Sequence, residues 1–592
     1  MVQPPACLPR LSAALPTTRI GSMAMEPNPK NGKMKRREPL FIPYRQGIPK
    51  NTDLYRKPSQ PSRGLHNLSR HDASVTSPLV YDSALCSAMG CPASTGKFAY
   101  KRHEPEKTLL YQVLQEHLET WLAERQADTS RSPLPAFVEK ELRAFMRCGI
   151  LAHGFIMLSC DACQALLPVA YSCKCRGFCP SCGAKRMAET TAHLIDNVLP
   201  HAPFRQWVVT VPHALRYWMA RSRRLTNLVH GIVSSEIMAY YEAKAKDRGI
   251  DEAIPGGVTF IQRFGSALNL NIHYHILVLD GVYSVKGGTP RFFHLKGPDD
   301  DDISLVVETI ATKVIAMLRE NNYLSEEGTE VDMPPCLDQI IEDSEQLKAA
   351  IAASATMHIA FGENAGKKVR RVGHGFGIEE EHALVKGKRC SSANGFTVHA
   401  NRYVGEDERK KLEELVGYVS RPAFSNKRLS LRDPDNPNGD LIYELKTPWR
   451  DGTEGIILSR SELCEKISAL IPPPYIHLSR YFGVFSSHSK WRRLIVIKPH
   501  VKKGFVAVPD GSSVSRMTWS KLLKRAFKID VTRCQACGAR IYPENCQDVN
   551  VPNMITAILL TLGLNHLPPP IRPARYTAEA FDFDQTTEYE SE

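Results

Sequence analysis

Cysteines are the first residues in this 592-residue chain whose spacing implies chemistry. Seven of the 16 lie between positions 148 and 182, among them Cys160-Asp-Ala-Cys163 and Cys179-Pro-Ser-Cys182. Each C-x-x-C turn brings two thiolates to one side, and two such turns separated by 15 residues match a tetrahedral structural zinc site. Cys160, Cys163, Cys179 and Cys182 are the expected ligands for Zn²⁺. Cys148, Cys173, Cys175 and His153 are spare donors that either hold a second ion or simply pack. A later trio, Cys534, Cys537 and Cys546, has no evident fourth donor, so a second zinc site there stays open. A secreted disulfide framework would sit in a short chain with its pairs spread out, which this is not.

A second constellation is Leu270-Asn-Ile-His273-Tyr-His275-Ile-Leu-Val-Leu-Asp280. In a strand alternate residues share a face, so His273 and His275 project together while Tyr274 and Ile276 point the other way. Two imidazoles side by side can chelate a metal; a buried, stacked histidine pair is the plain alternative. The third feature is the expected helix Glu406–Ser420, closed by Arg421-Pro422 because proline excludes helical backbone at the residue before it. Leu412, Leu415, Val416 and Val419 make its apolar stripe. Tyr418 lies beyond the stripe's edge, where its hydroxyl can face a cleft or the ring can merely border the core.

The elements that must position these groups follow from periodicity. Residues 1–96 are rich in Pro, Ser, Arg and Asn and read as a disordered basic extension. Helices are expected over Thr108–Arg125, Phe137–Arg147, Ile303–Asn322 and Ser461–Leu470, with further helix through 188–248 interrupted by a strand at Trp207–Val211. Val258–Phe264 and Ile272–Leu279 read as a β-hairpin, with further strands at Phe396–His399, Arg428–Leu431 and Leu441–Lys446. The domains expected are a helical zinc-binding region over 97–200, a core over 201–450 with an insertion at 284–395, a C-terminal helical region over 451–570 and an acidic tail, 571–592. Residues 323–395 resist assignment. The net charge of +13 is uneven: residues 1–107 hold 17 Lys and Arg against 7 Asp and Glu, so the body is only mildly basic. No apolar run reaches the ~20 residues of a membrane span, and no secretion signal is evident. A cytoplasmic protein is expected.

The order of a cysteine cluster, a His-hydrophobic-His strand and a helical Tyr followed by Arg-Pro resembles the rolling-circle transposases of the insertion sequence 91 type, within the histidine–hydrophobic–histidine (HUH) endonuclease superfamily. Cys173-Lys-Cys-Arg-Gly-Phe-Cys-Pro-Ser-Cys-Gly-Ala-Lys-Arg-Met187, Gln262–His275, Tyr418-Val-Ser-Arg-Pro422, Leu445–Gly452 and Trp519–Cys537 carry the likeness. It implies an α+β fold, an HUH nuclease domain with a central antiparallel sheet and flanking helices, plus an N-terminal cysteine-rich zinc-binding subdomain. It implies that His273 and His275 hold Mg²⁺ or Mn²⁺, that Tyr418 is the nucleophile, and that a third metal ligand exists. Gln262 is the first candidate, His399 and Asp280 the runners-up. The partners implied are single-stranded DNA ends of a mobile element, bacterial replication machinery and a host helicase, since the sequence has no Gly-x-x-x-x-Gly-Lys-Ser/Thr loop. Where the family's type member has a second tyrosine four positions on, this chain has Pro422, which suggests a single-tyrosine branch. The competing readings are a non-catalytic zinc-ribbon DNA-binding protein and a plasmid-type replication initiator. Relaxases, a further branch, usually place the tyrosine before the histidine motif, whereas Tyr418 follows it.

Overall fold

The computed structural model describes residues 102–286, 288–325, 337–373, 387–496, 519–527, 529–542 and 545–575. The basic extension and the last residues of the acidic tail lie outside this set. At the centre is a six-stranded sheet in the order Ser479–Gly483, Gly256–Phe264, Leu270–Leu279, Phe204–Thr210, Phe396–Val404, Cys390–Ala393, with every neighbouring pair antiparallel. The expected hairpin is its middle: Gln262 pairs with His273 and Phe260 with His275.

Its middle strands are buried at almost every position because helices cover both faces. One face carries Trp207, Val209, Ile261, Ile272, Tyr274, Ile276 and Val398 against helices Arg223–Asp247 and Asp300–Glu320. The other carries Phe204, Val258, Phe260, Leu277 and Leu279 against Leu412, Leu415, Val416 and Val419 of the helix Arg409–Val419, hereafter the tyrosine helix. Leu194 and Ile195 of the helix Pro180–Asn197, the zinc helix, join this second layer. Arg409 holds the two helices together, donating to the backbone carbonyls of Ile195, Leu199 and Pro200 at the end of the zinc helix. Gln206, Gln262, His273 and His275 break the apolar pattern, and strand alternation puts all four on the face under the tyrosine helix.

The fold is thus α+β with antiparallel sheets, as expected. The packing does not follow the expected linear divisions. Ser479–Gly483, past residue 450, is one edge of the central sheet, and Cys390–Ala393, inside the stretch expected as an insertion, is the other. A core cluster runs from Leu110 to Phe482 without a break at 200 or 450. The N-terminal part is a helix pair, Leu109–Ala127 and Ala136–Met146, followed by the hairpin Phe155–Ser159/Leu166–Ala170. Its third strand comes from the far end of the chain, Cys546–Val549 pairing with Phe155–Leu158. A further, four-stranded sheet, Leu429–Leu431, Leu441–Glu444, Gly455–Leu458 and Arg370–Val372, backs onto the helix Arg460–Leu470, whose start is fixed by a Ser459/Glu462 capping box. No described helix is long and apolar enough to cross a membrane.

Candidate active site and zinc centre

The first metal-binding group is assembled at the base of the hairpin. Gly149 N–H donates to Tyr171 O at 2.8 Å, closing the base, and brings Cys148 beside Cys173. The zinc helix supplies Cys179 and Cys182 from its first turn. The four Sγ atoms lie within 4.8 Å of one another, with separations of 3.7 Å for Cys148–Cys182, 3.4 Å for Cys173–Cys182 and 3.8 Å for Cys148–Cys179. Four thiolates around zinc at about 2.3 Å stand about 3.8 Å apart, so the donor set fits a structural Zn²⁺.

The four cysteines expected as one zinc set fall into two separate groups. Cys179 and Cys182 belong to this group, but Cys160 and Cys163 do not: they sit at the hairpin's tip, against Cys534 and Cys537. The reason is strand length, since five residues on each side carry the tip about 16 Å from the base. Cys175, one of the spare donors, turns its thiol toward Glu141 O and stays outside both groups. Two of the cations interleaved with the cysteines are committed to the backbone. Arg176 donates to Ile476 O and Pro473 O, and Arg186 to Cys175 O and Lys174 O.

The histidine pair faces the tyrosine helix. Nε2 of His273 and Nε2 of His275 are 3.2 Å apart, and each outer ring nitrogen has a partner. His273 Nδ1 lies 2.9 Å from Asn271 O, and the Gln206 amide lies 2.8 Å from His275 Nδ1. Tyr274 points the other way, its hydroxyl donating to Thr226 O. Burial, reinforced by Arg421 and other nearby positive charge, lowers the pKa of His273 to about 4 and that of His275 to about 3. Both rings are neutral at neutral pH, the state that binds metal.

Gln262, on the neighbouring strand and directly opposite His273, donates its amide to Val419 O at 2.8 Å. Its carbonyl oxygen is buried and has no partner among the described residues. The two other ligand candidates are placed elsewhere. Asp280 is fully buried and held bidentately by Arg205 at 2.8 and 2.9 Å, with the Tyr241 hydroxyl donating at 3.0 Å. His399 shares the histidines' face but lies two strands from His275, with Val208 between, or about 10 Å.

Tyr418 reaches the same place from above, its ring edge-on to His275 with centroids 6.0 Å apart. Three cations surround it: Lys446 Nζ at 4.4 Å from the ring centre, Arg421 at 4.5 Å and Arg402 at 6.0 Å. Burial pushes the phenol up, but Arg421, by charge and hydrogen bond, with Lys446 and Arg402, carries it below its ordinary value. Arg421 Nη1 is buried without a partner among the described residues. The cleft where it sits is lined by Gln262, Arg421, Pro422, Gly183 and Arg186. Gly183 is required there, since a Cβ would come within 2.4 Å of Pro422. The Arg-Pro signal marks this helix end in the sequence, but nothing local points to Lys446, Arg402 or Gln206 as neighbours of the site.

Two family profiles match the chain: "Transposase zinc-binding domain", of the insertion sequence 91 type, over residues 113–211, and "Putative transposase" over residues 256–493. Their order and spans match the cysteine group and the histidine–tyrosine site. The chain belongs to the transposases of the insertion sequence 91 type. No curated protein and no solved structure matches it. The transposase's partner is therefore DNA, and its zinc-binding region contains the Cys148, Cys173, Cys179 and Cys182 group.

Proposed function

We propose that this transposase nicks and rejoins single-stranded ends of its mobile element through a 5′-phosphotyrosine on Tyr418, in a rolling-circle reaction that draws on a host helicase. The observation that carries the reading is the meeting of Tyr418 with two neutral imidazoles whose Nε2 atoms are 3.2 Å apart. Two ligands at right angles on a small divalent ion with bonds of about 2.1 Å stand about 3 Å apart. His273, His275 and the carbonyl of Gln262 would hold Mg²⁺ or Mn²⁺, which when bound withdraws charge from the scissile phosphate.

The chain's own groups do the rest. Tyr418 Oη attacks phosphorus, the bond to the 3′ oxygen breaks, and the strand leaves with a free 3′-OH while the phosphate stays diester-linked to the protein. That bond is close in energy to the one broken, so the 3′-OH can reverse the step and rejoin DNA. Arg421, Lys446 and Arg402 favour the phenolate. Gln206 faces His275 Nδ1 with its amide nitrogen; a flip of the amide, which exchanges nitrogen for oxygen, would let the oxygen accept from Nδ1–H and free Nε2 for the metal. Without a second tyrosine four residues on, one Tyr418 serves each active site.

The test is incubation of end-labelled single-stranded element ends with protein and Mg²⁺ or Mn²⁺, resolved on a denaturing gel. The expected product is a protein-linked 5′ end that disappears with EDTA and forms poorly on duplex. No adduct under any metal condition would leave a non-catalytic DNA-binding protein as the better reading. His273→Ala should raise the metal concentration needed for half-maximal cleavage, by roughly 10–100-fold, with excess Mn²⁺ restoring part of the rate. Arg421→Ala should move the rising limb of cleavage rate against pH toward higher pH, since a lost cation makes the phenol a weaker acid. A phenol about tenfold weaker holds about a tenth as much phenolate at neutral pH. An unchanged limb would mean that Arg421 does not act on Tyr418.

A further inference from the structure

The four cysteines at the hairpin's tip form a group that neither family segment contains, because Cys534 and Cys537 lie beyond residue 493. The two C-x-x-C turns repeat one backbone design. Cys160 N–H donates to Ala165 O at 3.0 Å and Gln164 N–H to Cys160 O at 2.8 Å; Cys534 N–H donates to Ala539 O at 2.8 Å and Gly538 N–H to Cys534 O at 3.0 Å. In each the residue after the second cysteine has positive φ, 57° at Gln164 and 74° at Gly538. The turns face each other, with Cys160 and Cys537 Sγ 3.6 Å apart and Cys163 and Cys534 Sγ 3.5 Å apart. These separations are far beyond the ~2.05 Å of a disulfide and close to the edge of a tetrathiolate zinc site, about 3.8 Å. Leu158, Val169, Val531 and Ile541 enclose the group.

We propose that Cys160, Cys163, Cys534 and Cys537 bind a second Zn²⁺, which ties the C-terminal segment to the N-terminal hairpin. Soft thiolates in a tetrahedral set select zinc over the hard Mg²⁺ or Mn²⁺ of the nuclease site, and binding releases the thiol protons to solvent. The expected trio thus resolves differently from its sequence spacing: Cys546 is exposed, its thiol directed toward Tyr542 O, and takes no part. The segment so fixed also reaches the nuclease, because Arg525 pairs with Asp196 of the zinc helix and, at 3.2 Å, with Glu413 of the tyrosine helix.

Zinc counting on the purified, reduced full chain tests this without reference to DNA. About two zinc ions per chain are expected from two tetrathiolate sites, against about one for Cys534→Ser/Cys537→Ser. Cys546→Ser should keep the wild-type count, and Cys537→His, which preserves a ligand atom, should also keep it. A single zinc in the wild type overturns the proposal even if the double serine variant does not fold. So does a double variant that retains the wild-type count.

Discussion

Tyr418→Phe is expected to lose strand cleavage and the covalent DNA adduct together, on the order of 10⁴-fold or more, as removal of a nucleophile does. The substitution deletes one oxygen. The ring remains packed beside the core formed by Leu412, Leu415 and Val416 and edge-on to His275, so the melting temperature should barely move. DNA binding should persist, because phosphate contacts come from Lys and Arg. Neither neighbouring candidate is placed to substitute: Tyr274, on the histidine strand, points to the opposite face with its hydroxyl on Thr226, and position 422 is proline. Metal supply separates this variant from His273→Ala, since no concentration of Mn²⁺ restores a missing hydroxyl. A protein-linked 5′ end formed by Tyr418→Phe would show that another group attacks.

What is legible in the sequence is local. Strand alternation alone puts His273 and His275 on one face, and the apolar stripe Leu412, Leu415, Val416, Val419 places Tyr418 at its edge; both hold in three dimensions. Partnership across the chain is not legible. Cys160 and Cys163 share their spacing with Cys179 and Cys182, but which pair meets which depends on the reach of a hairpin and on a strand nearly 400 residues away. Asp280, five residues after His275, reads as a runner-up ligand; its buried charge is instead matched by Arg205 from the adjacent strand, which no local pattern reveals. Gln262 stands out by its strand, yet the feature that singles it out, an oxygen with no partner among the described residues beside an amide bonded to Val419, exists only once the tyrosine helix docks.

That docking makes the first zinc site more than a remote anchor. Cys182 is followed by Gly183, which presses on Pro422, four residues from Tyr418; Leu194 and Ile195 share a core with the tyrosine helix. Structural zinc is worth about 10–16 kcal/mol in zinc-finger peptides, as much as the whole stability of a typical domain. Cys182→Ser, or removal of this zinc by a chelator, should therefore unfold the first turn of the zinc helix and loosen the helix packed on it. The expected result is a fall in cleavage of roughly 100-fold or more, the effect of misplacing a reacting group by about 1 Å. Amide hydrogen exchange identifies the cause. Exchange should accelerate across Pro180–Asn197 and Arg409–Val419, while Leu270–Leu279, sandwiched in the middle of the sheet, stays protected. If cleavage falls with the tyrosine helix still protected, zinc acts on DNA binding instead. If the central strands open as well, the loss is global unfolding and says nothing about how Tyr418 is positioned.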